Sequence, residues 1–509
     1  VGSEMCIRDS YNTDATFDFD SKNLKLAYEG QEDDIIKSIE AGNVSMTPGS
    51  SLIRGSTSLF GIKTQLQFGK LTATALVSQQ NSESTSVSTK GGVQTTDFSI
   101  TADNYDQNRH FFLAHYFREN YDAFASKLPL VLSGVKITRI EVWITNRNTK
   151  FDQSRNLVAF MDLGENTALS NSYWQPNQAQ TVPSNNSNNL LAVIKEEYPG
   201  ARDINTVTQV LAPLAAFGVE GGQDYEKVES ARLLSSAEYT LNSTLGYISL
   251  RSALAADEVL AVAYEYSYNG QVYQVGEFSS DITTTDSSLY LKMLKSTTID
   301  PHLPIWNLMM KNVYSLGAYQ VQPSNFKLNI KYLNDTLGSE INYLPVPGLS
   351  DKPLLQVMNL DRIDSNEASN PDGFFDFIDG YTILPSLGKV IFPVTEPFGS
   401  HLAKKIGNPT IADKYVYQEL YDSTLVVARQ FANKNKFILS GEYQAAAGSQ
   451  IRLNAMNVPR GSVIVTAGGV TLAENSDYTV DYAMGIVTII NQSIICLLYT
   501  SPSPRDRTR

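Results

Sequence analysis

The sequence predicts a mainly β fold with a smaller α+β insertion. Three observations carry this reading. Several stretches alternate apolar and polar residues with a period of two, divided by turn residues. A Tyr-Thr-aliphatic hairpin motif occurs three times from about residue 233 onward. Helical spacing, by contrast, is confined to about 105–216.

The first region, 11–100, reads as strands. Ile62, Thr64, Leu66 and Phe68 alternate with Lys63, Gln65 and Gln67, and past Gly69-Lys70 the apolar set resumes at Leu71, Ala73, Ala75 and Val77. Alternation on both sides of a Gly-containing turn predicts an antiparallel hairpin with one apolar and one polar face. The polar run "NSESTSVSTKGGVQTTD" that follows is a loop.

Residues 101–232 read as an α+β unit. Phe112, Tyr116, Phe117, Tyr121 and Phe124 approach helical spacing. "NNLLAVIKEEYPG" predicts a helix stopped at Pro199-Gly200, and Ile204, Val207, Leu211 and Leu214 share a helical face that Pro213 should kink or end. Between them, Ile137, Ile140, Val142 and Ile144 mark a strand.

Further on, strands dominate. Tyr239-Thr240-Leu241, Tyr381-Thr382-Ile383 and Tyr478-Thr479-Val480 each precede, at one fixed offset, Gly246, Gly388 and Gly485, and an aliphatic strand follows. Each copy predicts a hairpin whose Gly takes φ > 0. Unequal distances between copies exclude a regular solenoid or propeller. Asn269-Gly270 lies between two alternating runs, a strong hairpin signal. Phe326, Leu328, Ile330 and Tyr332 alternate with Lys327, Asn329 and Lys331, and the segment from about 441 to 495 resembles a small sandwich.

The formal charge of −13, without a basic cluster, argues against nucleic acid or an anionic lipid surface as the main partner. No apolar run approaches the ~20 residues of a membrane-spanning helix, whereas a barrel strand needs only ~9–11 residues of alternating pattern. Of the four histidines, His110, His115, His302 and His401, none has a partner at metal-ligand spacing, and structural roles are expected. The chain has no P-loop, dinucleotide fingerprint or G-x-S-x-G elbow, so catalysis and cofactors are not expected. The acidic loop "LDRIDSNEASNPDGFFDFIDG" offers Asp361, Asp364, Asn366, Asn370, Asp372 and Asp376 as hard oxygen ligands for calcium. Its spacing fails the EF-hand rule, and solvated turns are the expected reading.

The two ends differ from everything between them and hold the only cysteines, Cys6 and Cys496. Val1–Ser10 and Cys496–Pro504 translate opposite orientations of one DNA word, which resembles a sequencing-library adapter read through. Residues 1–10 and 496–509 are therefore set aside as adapter-like. Tyr11 to Ile495 has no cysteine, hence no disulfide or thiol chemistry.

"SSLIRGSTSLFGIKTQLQFGKLTATALVSQQ", "NRHFFLAHYFRENYD", "IEVWITNR", "VAFMDLGE", "EYTLNSTLGYISL", "AYEYSYNGQVYQVGEF", "GKVIFPVTEPFGSHL" and "NVPRGSVIVTAGGVTLAENSDYTVDYAMG" resemble, in collinear order, the SprA (Sov) gliding-motility family. That resemblance implies an amino-proximal part of a very large outer-membrane β-barrel, the translocon of the type IX secretion system in a Gram-negative cell. Its implied partners are secreted cargo proteins, a smaller outer-membrane barrel that receives cargo, and a plug protein. The hairpins at 61–80 and 324–333 would be barrel strands with one lipid-facing side, in sheets left open with unpaired edges. The expected organisation is 11–100 barrel-type strands, 101–232 an α+β inserted unit and 233–345 a β-rich unit with barrel-type strands. A β-rich unit with the acidic loop at 346–440 and a sandwich-like unit at 441–495 complete it. A cell-surface adhesin of β-sandwich repeats is the alternative.

Overall fold

The computed structural model describes residues 25–29, 35–44, 59–68, 71–78, 94–147, 154–282, 284, 287–335, 338–364, 366, 368–445, 450–452, 462–467, 470–482 and 485–491. The adapter-like ends, the Gly69-Lys70 turn and most of the polar loop after it lie outside the described residues. The chain divides into two compact units, Val1–Val87 and Ser88–Arg509.

In the first unit, β1 (Lys25–Glu29), β2 (Ile36–Val44), β3 (Leu59–Phe68) and β4 (Leu71–Ser78) form an antiparallel meander in sequence order. β3 and β4 are the predicted hairpin, paired from Gly61↔Ser78 to Phe68↔Leu71. The register lays Leu26, Ala41, Ile62 and Val77 in one row across the sheet, and Tyr28, Ile39, Thr64 and Ala75 in another. The row between holds Ala27, Glu40, Lys63 and Leu76.

The second unit opens with β5 (Gln94–Thr101), β6 (His110–Phe112) and helix α1 (His115–Phe124). β7 (Val135–Ile144), β8 (Arg155–Phe160), α2 (Leu190–Glu197), α3 (Val207–Leu211) and β9 (Tyr225–Leu233) follow. Helix α3 ends where Pro213 requires, continuing as a 3₁₀ turn. Next come β10 (Tyr239–Asn242), β11 (Tyr247–Leu250), β12 (Leu260–Tyr268), β13 (Gln271–Val275) and β14 (Leu289–Lys295). The turn between β12 and β13 is the predicted Asn269-Gly270, with φ of 50° and 78°. Strands β7, β12, β14, β8 and β9 close into a small five-stranded barrel in that order, β9 returning to β7. Only the β8–β14 pair is parallel in this ring.

Barrel closure corrects the expected organisation. Two of its strands precede residue 232, β9 runs across it and two follow, so the segments 101–232 and 233–345 share one core instead of forming an insertion and a separate unit. The spacing of β7 is also explained. Arg139 opposes Glu265 while Ile137 opposes Tyr266, a bulge that leaves Thr138 extra. The bulge moves burial from Val135 and Ile137 to Val142 and Ile144, so odd and even apolar positions both face inward.

The motif hairpins belong to three sheets of one design. β15 (Val313–Ser315), β16 (Val321–Asn334), β17 (Ser339–Ile341), β18 (Ile383–Leu384), β19 (Lys389–Ile391) and β20 (Phe437–Ala445) lead to β21 (Gln450–Arg452). β22 (Thr466–Ala467), β23 (Val470–Thr471), β24 (Tyr478–Asp481) and β25 (Ile486–Ile489) complete the chain order. The sheets are β10–β11–β6, β18–β19–β15 and β24–β25–β21. In each, the strand after the Gly pairs with a three-residue strand from earlier in the chain. The residue directly after the Gly opposes the last residue of that strand: Tyr247↔Phe112, Lys389↔Ser315 and Ile486↔Arg452. Gly246, Gly388 and Gly485 all take positive φ, 68°, 59° and 62°.

A second core lies under the sheet β17–β16–β20–β5. Leu328, Ile330, Tyr332, Phe437 and Leu439 are buried there with Leu354, Phe398, Leu402 and Tyr417. The expectation that 324–333 turns its apolar side to lipid is corrected: that side is covered by the chain's own short helices. The opposite side carries ion pairs, Lys327 to Glu442 and Lys331 to Glu340. Alternation specifies an apolar face but not what covers it. Segment 346–440 is likewise richer in helix than expected, with short helices at Leu354–Val357, Leu402–Ile406, Pro409–Tyr415, Glu419–Asp422 and Leu425–Ala428. β20 runs through the expected boundary at 441, beyond which Tyr478, Val487 and Ile489 form a small separate core.

Gly246 tests the shared design. A Cβ there would lie 2.2 Å from the ring of Phe117, and its φ is positive, whereas a Cβ at Gly270 meets open space. Gly270→Ala is expected to cost about 1 kcal/mol and Gly246→Ala about 2–4 kcal/mol. Urea unfolding of both variants checks this; equal losses would show that the ring contact contributes nothing.

Candidate functional site

A cleft of about 590 Å³ opens between α1 and the long loop that follows β8. Tyr116, Glu119 and Asn120 line it from the helix, at spacings that bring one face together. Glu165, Asn166, Gln180 and Thr181 line it from the loop. The loop has no strand or helix between Phe160 and Leu190, yet its own polar groups hold it. Asn166 donates to the carbonyls of Asn177 (3.0 Å) and Gln180, and Asn188 donates to those of Asp162 and Glu165 (both 2.7 Å). Ser187 donates to Val182 O (3.2 Å), and Tyr266 reaches Pro183 O (2.7 Å).

The floor is a buried charge cluster. Glu165 Oε1 lies 2.8 Å from Lys292 Nζ and 3.0 Å from His115 Nδ1, and all three side chains are buried. Lys292 also donates to Met161 O, and the His115 ring reaches Pro304 O at 2.8 Å. Burial alone would raise the Glu165 carboxyl, but the Lys292 ammonium and His115 outweigh it and hold the pKa at about 2. Just upstream, the Asp162 carboxylate accepts from Ser170 N (2.8 Å) and Asn171 N (3.1 Å). These groups hold the "MDLGE" turn, in which Gly164 takes φ of 77° and a Cβ would meet Val275 at 2.7 Å.

A second cluster joins the first two motif sheets. His110 Nε2 lies 2.9 Å from Asp106 Oδ2, and Nδ1 lies 2.8 Å from Ser249 Oγ. A carboxylate can only accept, so Nε2 carries the proton; burial lowers the His110 pKa, so the ring is neutral and Nδ1 accepts from the serine. Lys389 Nζ bridges Asp106 Oδ2 and Ser315 Oγ, each at 2.8 Å. Burial opposes ionisation of Asp106, but Lys389 and His110 hold its carboxyl far below the usual range. Burial in turn lowers the Lys389 pKa, with Asp106 resisting. Ser249, His110 and Asp106 are the residue types of a hydrolytic triad. Here Ser249 is fully buried and Asp106 is committed to Lys389. What this arrangement does is fasten strands.

The remaining sequence candidates are dispersed. Tyr239 and Tyr381 are half-buried and Tyr478 is buried in the third motif sheet. The first two hairpins touch: Asn242 donates to Gly380 O at 3.0 Å, and Thr244 and Tyr381 share a hydroxyl contact at 3.5 Å. His115 starts α1, while His110 belongs to β6; the helix begins later than the aromatic spacing suggested. His401 is buried against Val357 O at 2.8 Å, and His302 is exposed. In the acidic loop the carboxylates serve backbone N–H groups. Asp361 accepts from Asp372 and Gly373, Asp364 from Asn366 and Ala368, Asp372 from Phe374, and Asp376 from Arg362 and Ile363. Asn366 and Asn370 are exposed. Among the described residues, no three His, Cys, Asp or Glu side chains are grouped to hold a metal ion.

Sequence reasoning missed Glu165, Lys292, Asp106 and Lys389. The available signal was a lysine set inside an apolar strand, "LYLKMLK" and "KVI", since a buried cation demands a buried anion.

Two outcomes are expected. Lys389→Met should cost about 3–5 kcal/mol by leaving Asp106 buried without its main partner, and adding Asp106→Asn should return much of it. Strictly additive losses in a double-mutant cycle would rule out the coupling. The second concerns Asp376, whose pKa burial raises from 3.8 to about 6, with Asp361 and Asp372 adding to the rise. A folded pKa above the unfolded one means the folded state binds the proton more tightly. That contribution is present below pH 3.8 and is lost as pH climbs through about 6. Urea midpoints of Asp376→Asn should therefore gain on the parent between pH 4 and pH 6; parallel profiles would contradict this.

Residues 5–216 match the family model SprA_N, described as motility related/secretion protein. The match spans the first unit, α1, the cleft loop and the first two barrel strands. No curated protein matches the chain. The MDLGE turn and the α1 face opposite it lie inside the matched stretch, whereas Lys292, which pairs with Glu165, lies beyond it; over residues 5–216 the chain is similar to this family of motility and secretion proteins.

Proposed function

We propose that this chain is part of the outer-membrane translocon of the type IX secretion system, which passes folded cargo proteins to the cell surface and supports gliding motility. The observation that carries the reading is the family match over residues 5–216. The meander of the first unit supports it, because consecutive strands each paired antiparallel to the next are the connectivity of a barrel wall. Among the described residues no helix is long and apolar enough to cross a membrane. The role is conduction and docking, not catalysis. Its partners are cargo, the smaller barrel that receives it and a plug protein, and no cofactor is required.

A second reading, a surface adhesin built of β-repeats, is favoured by the three motif sheets with their common register. Deleting the full gene separates the two. As a translocon component, the tagged protein should fractionate with detergent-extracted outer membrane, and deletion should abolish both surface display of cargo and colony spreading. Export that continues without the gene, with the protein recovered in the detergent-free secreted pool, would favour the adhesin.

A further inference from the structure

We propose that the cleft between α1 and the loop after β8 binds a basic, extended polypeptide segment, seating a lysine or arginine side chain on Glu119. The hydrogen-bonding state of the cleft walls points to this chemistry. Asn166 commits both of its N–H bonds to the carbonyls of Asn177 and Gln180. Asn120 donates to Tyr116 O at 2.8 Å, and Gln180 donates to Val182 O at 2.9 Å. Asn120 and Gln180 each keep one further N–H and Asn166 none, so the capacity left at these three side chains is weighted toward oxygen acceptors. Glu119 adds an exposed carboxylate on the same rim, and no lysine or arginine lines the cleft. A site rich in acceptors and negative charge selects a donor-rich cation, and ammonium and guanidinium groups carry three and five N–H donors.

The cleft is larger than one side chain needs and is open to solvent, which suits a stretch of chain that enters and leaves sideways over a small polyamine. Its walls are formed in advance. The loop's own hydrogen bonds and the Glu165–Lys292 pair fix one side and the buried face of α1 fixes the other, so little ordering accompanies binding. A net charge of −13 draws the same kind of segment toward the surface. Calling the occupant cargo rests on the export reading; the chemistry of the site does not.

Fluorescence anisotropy on the purified chain at low ionic strength tests the site, using a labelled peptide of alternating lysine and serine. The peptide should bind, Glu119→Gln should weaken it several-fold, and Glu119→Lys should weaken it about tenfold or more, about 1.4 kcal/mol. Glu119 is exposed, so the melting temperature should stay at the parent value in both variants. A peptide of alternating glutamate and serine should not bind, and spermidine should compete only weakly. Unchanged affinity in Glu119→Lys, equal binding of the acidic peptide, or displacement by equimolar spermidine would each overturn the proposal. The gene deletion reads export and this titration reads binding, so either can fail without the other.

Discussion

The larger unit depends on one carboxylate whose side chain is only 11% exposed. Asp106 lies just before β6, where His110 and Arg109 (3.4 Å) are its local partners, and Lys389 of β19 reaches it from far along the chain. Through His110 the contact passes to Ser249 on β11, and through Lys389 to Ser315 on β15. Four strands from two motif sheets therefore converge on a single charge. An unpaired carboxylate in that place would cost several kcal/mol, so the two sheets cannot form their cores and leave the joint undone. Coupling by a shared ion is stricter than coupling by apolar contact, because a greasy surface tolerates sliding and a charge does not.

Much of the fold was legible because its signals are local. The β3–β4 hairpin, the Asn269-Gly270 turn and the three motif hairpins each depend on alternation plus a residue able to take positive φ. Closure of the barrel was not legible. It depends on β8 running parallel to β14 across more than a hundred residues, and on a bulge in β7 that breaks the period used to find strands. The three-residue strands β6, β15 and β21 are too short to show any period. At the cleft, sequence supplied the MDLGE turn only as part of a resemblance. What makes it a site is Lys292, far along the chain, and pairings of that reach leave no mark on local pattern.

The three motif sheets separate what is shared from what is free to vary. Register and the positive-φ Gly are common, so the backbone frame is set by geometry alone. The residue after the Gly is Tyr247, Lys389 or Ile486, and the residue two further on is Ser249, Ile391 or Thr488. In the first sheet the frame supplies a serine to His110, in the second a lysine to Asp106, and in the third an apolar residue. A frame that holds its register while exchanging these positions can place a charge, a hydroxyl or a hydrocarbon at either of two addresses, directly after the Gly or two residues further on. The first two sheets use that freedom to fasten to each other.

Under the proposed export role, a contact with cargo would have to form often and hold briefly. The cleft satisfies this through the contrast between its floor and its rim. Glu165 is buried, fully partnered and held ionised, so its charge goes into keeping the loop in place and not into a ligand. Glu119 stands in water, where an ion pair is worth only about 0–1 kcal/mol and salt screens it further. A rigid wall carrying a weak, exposed charge orients a passing basic segment without retaining it. If the two carboxylates exchanged environments, the result would be a mobile loop around a strong trap, which is the wrong combination for a conduit.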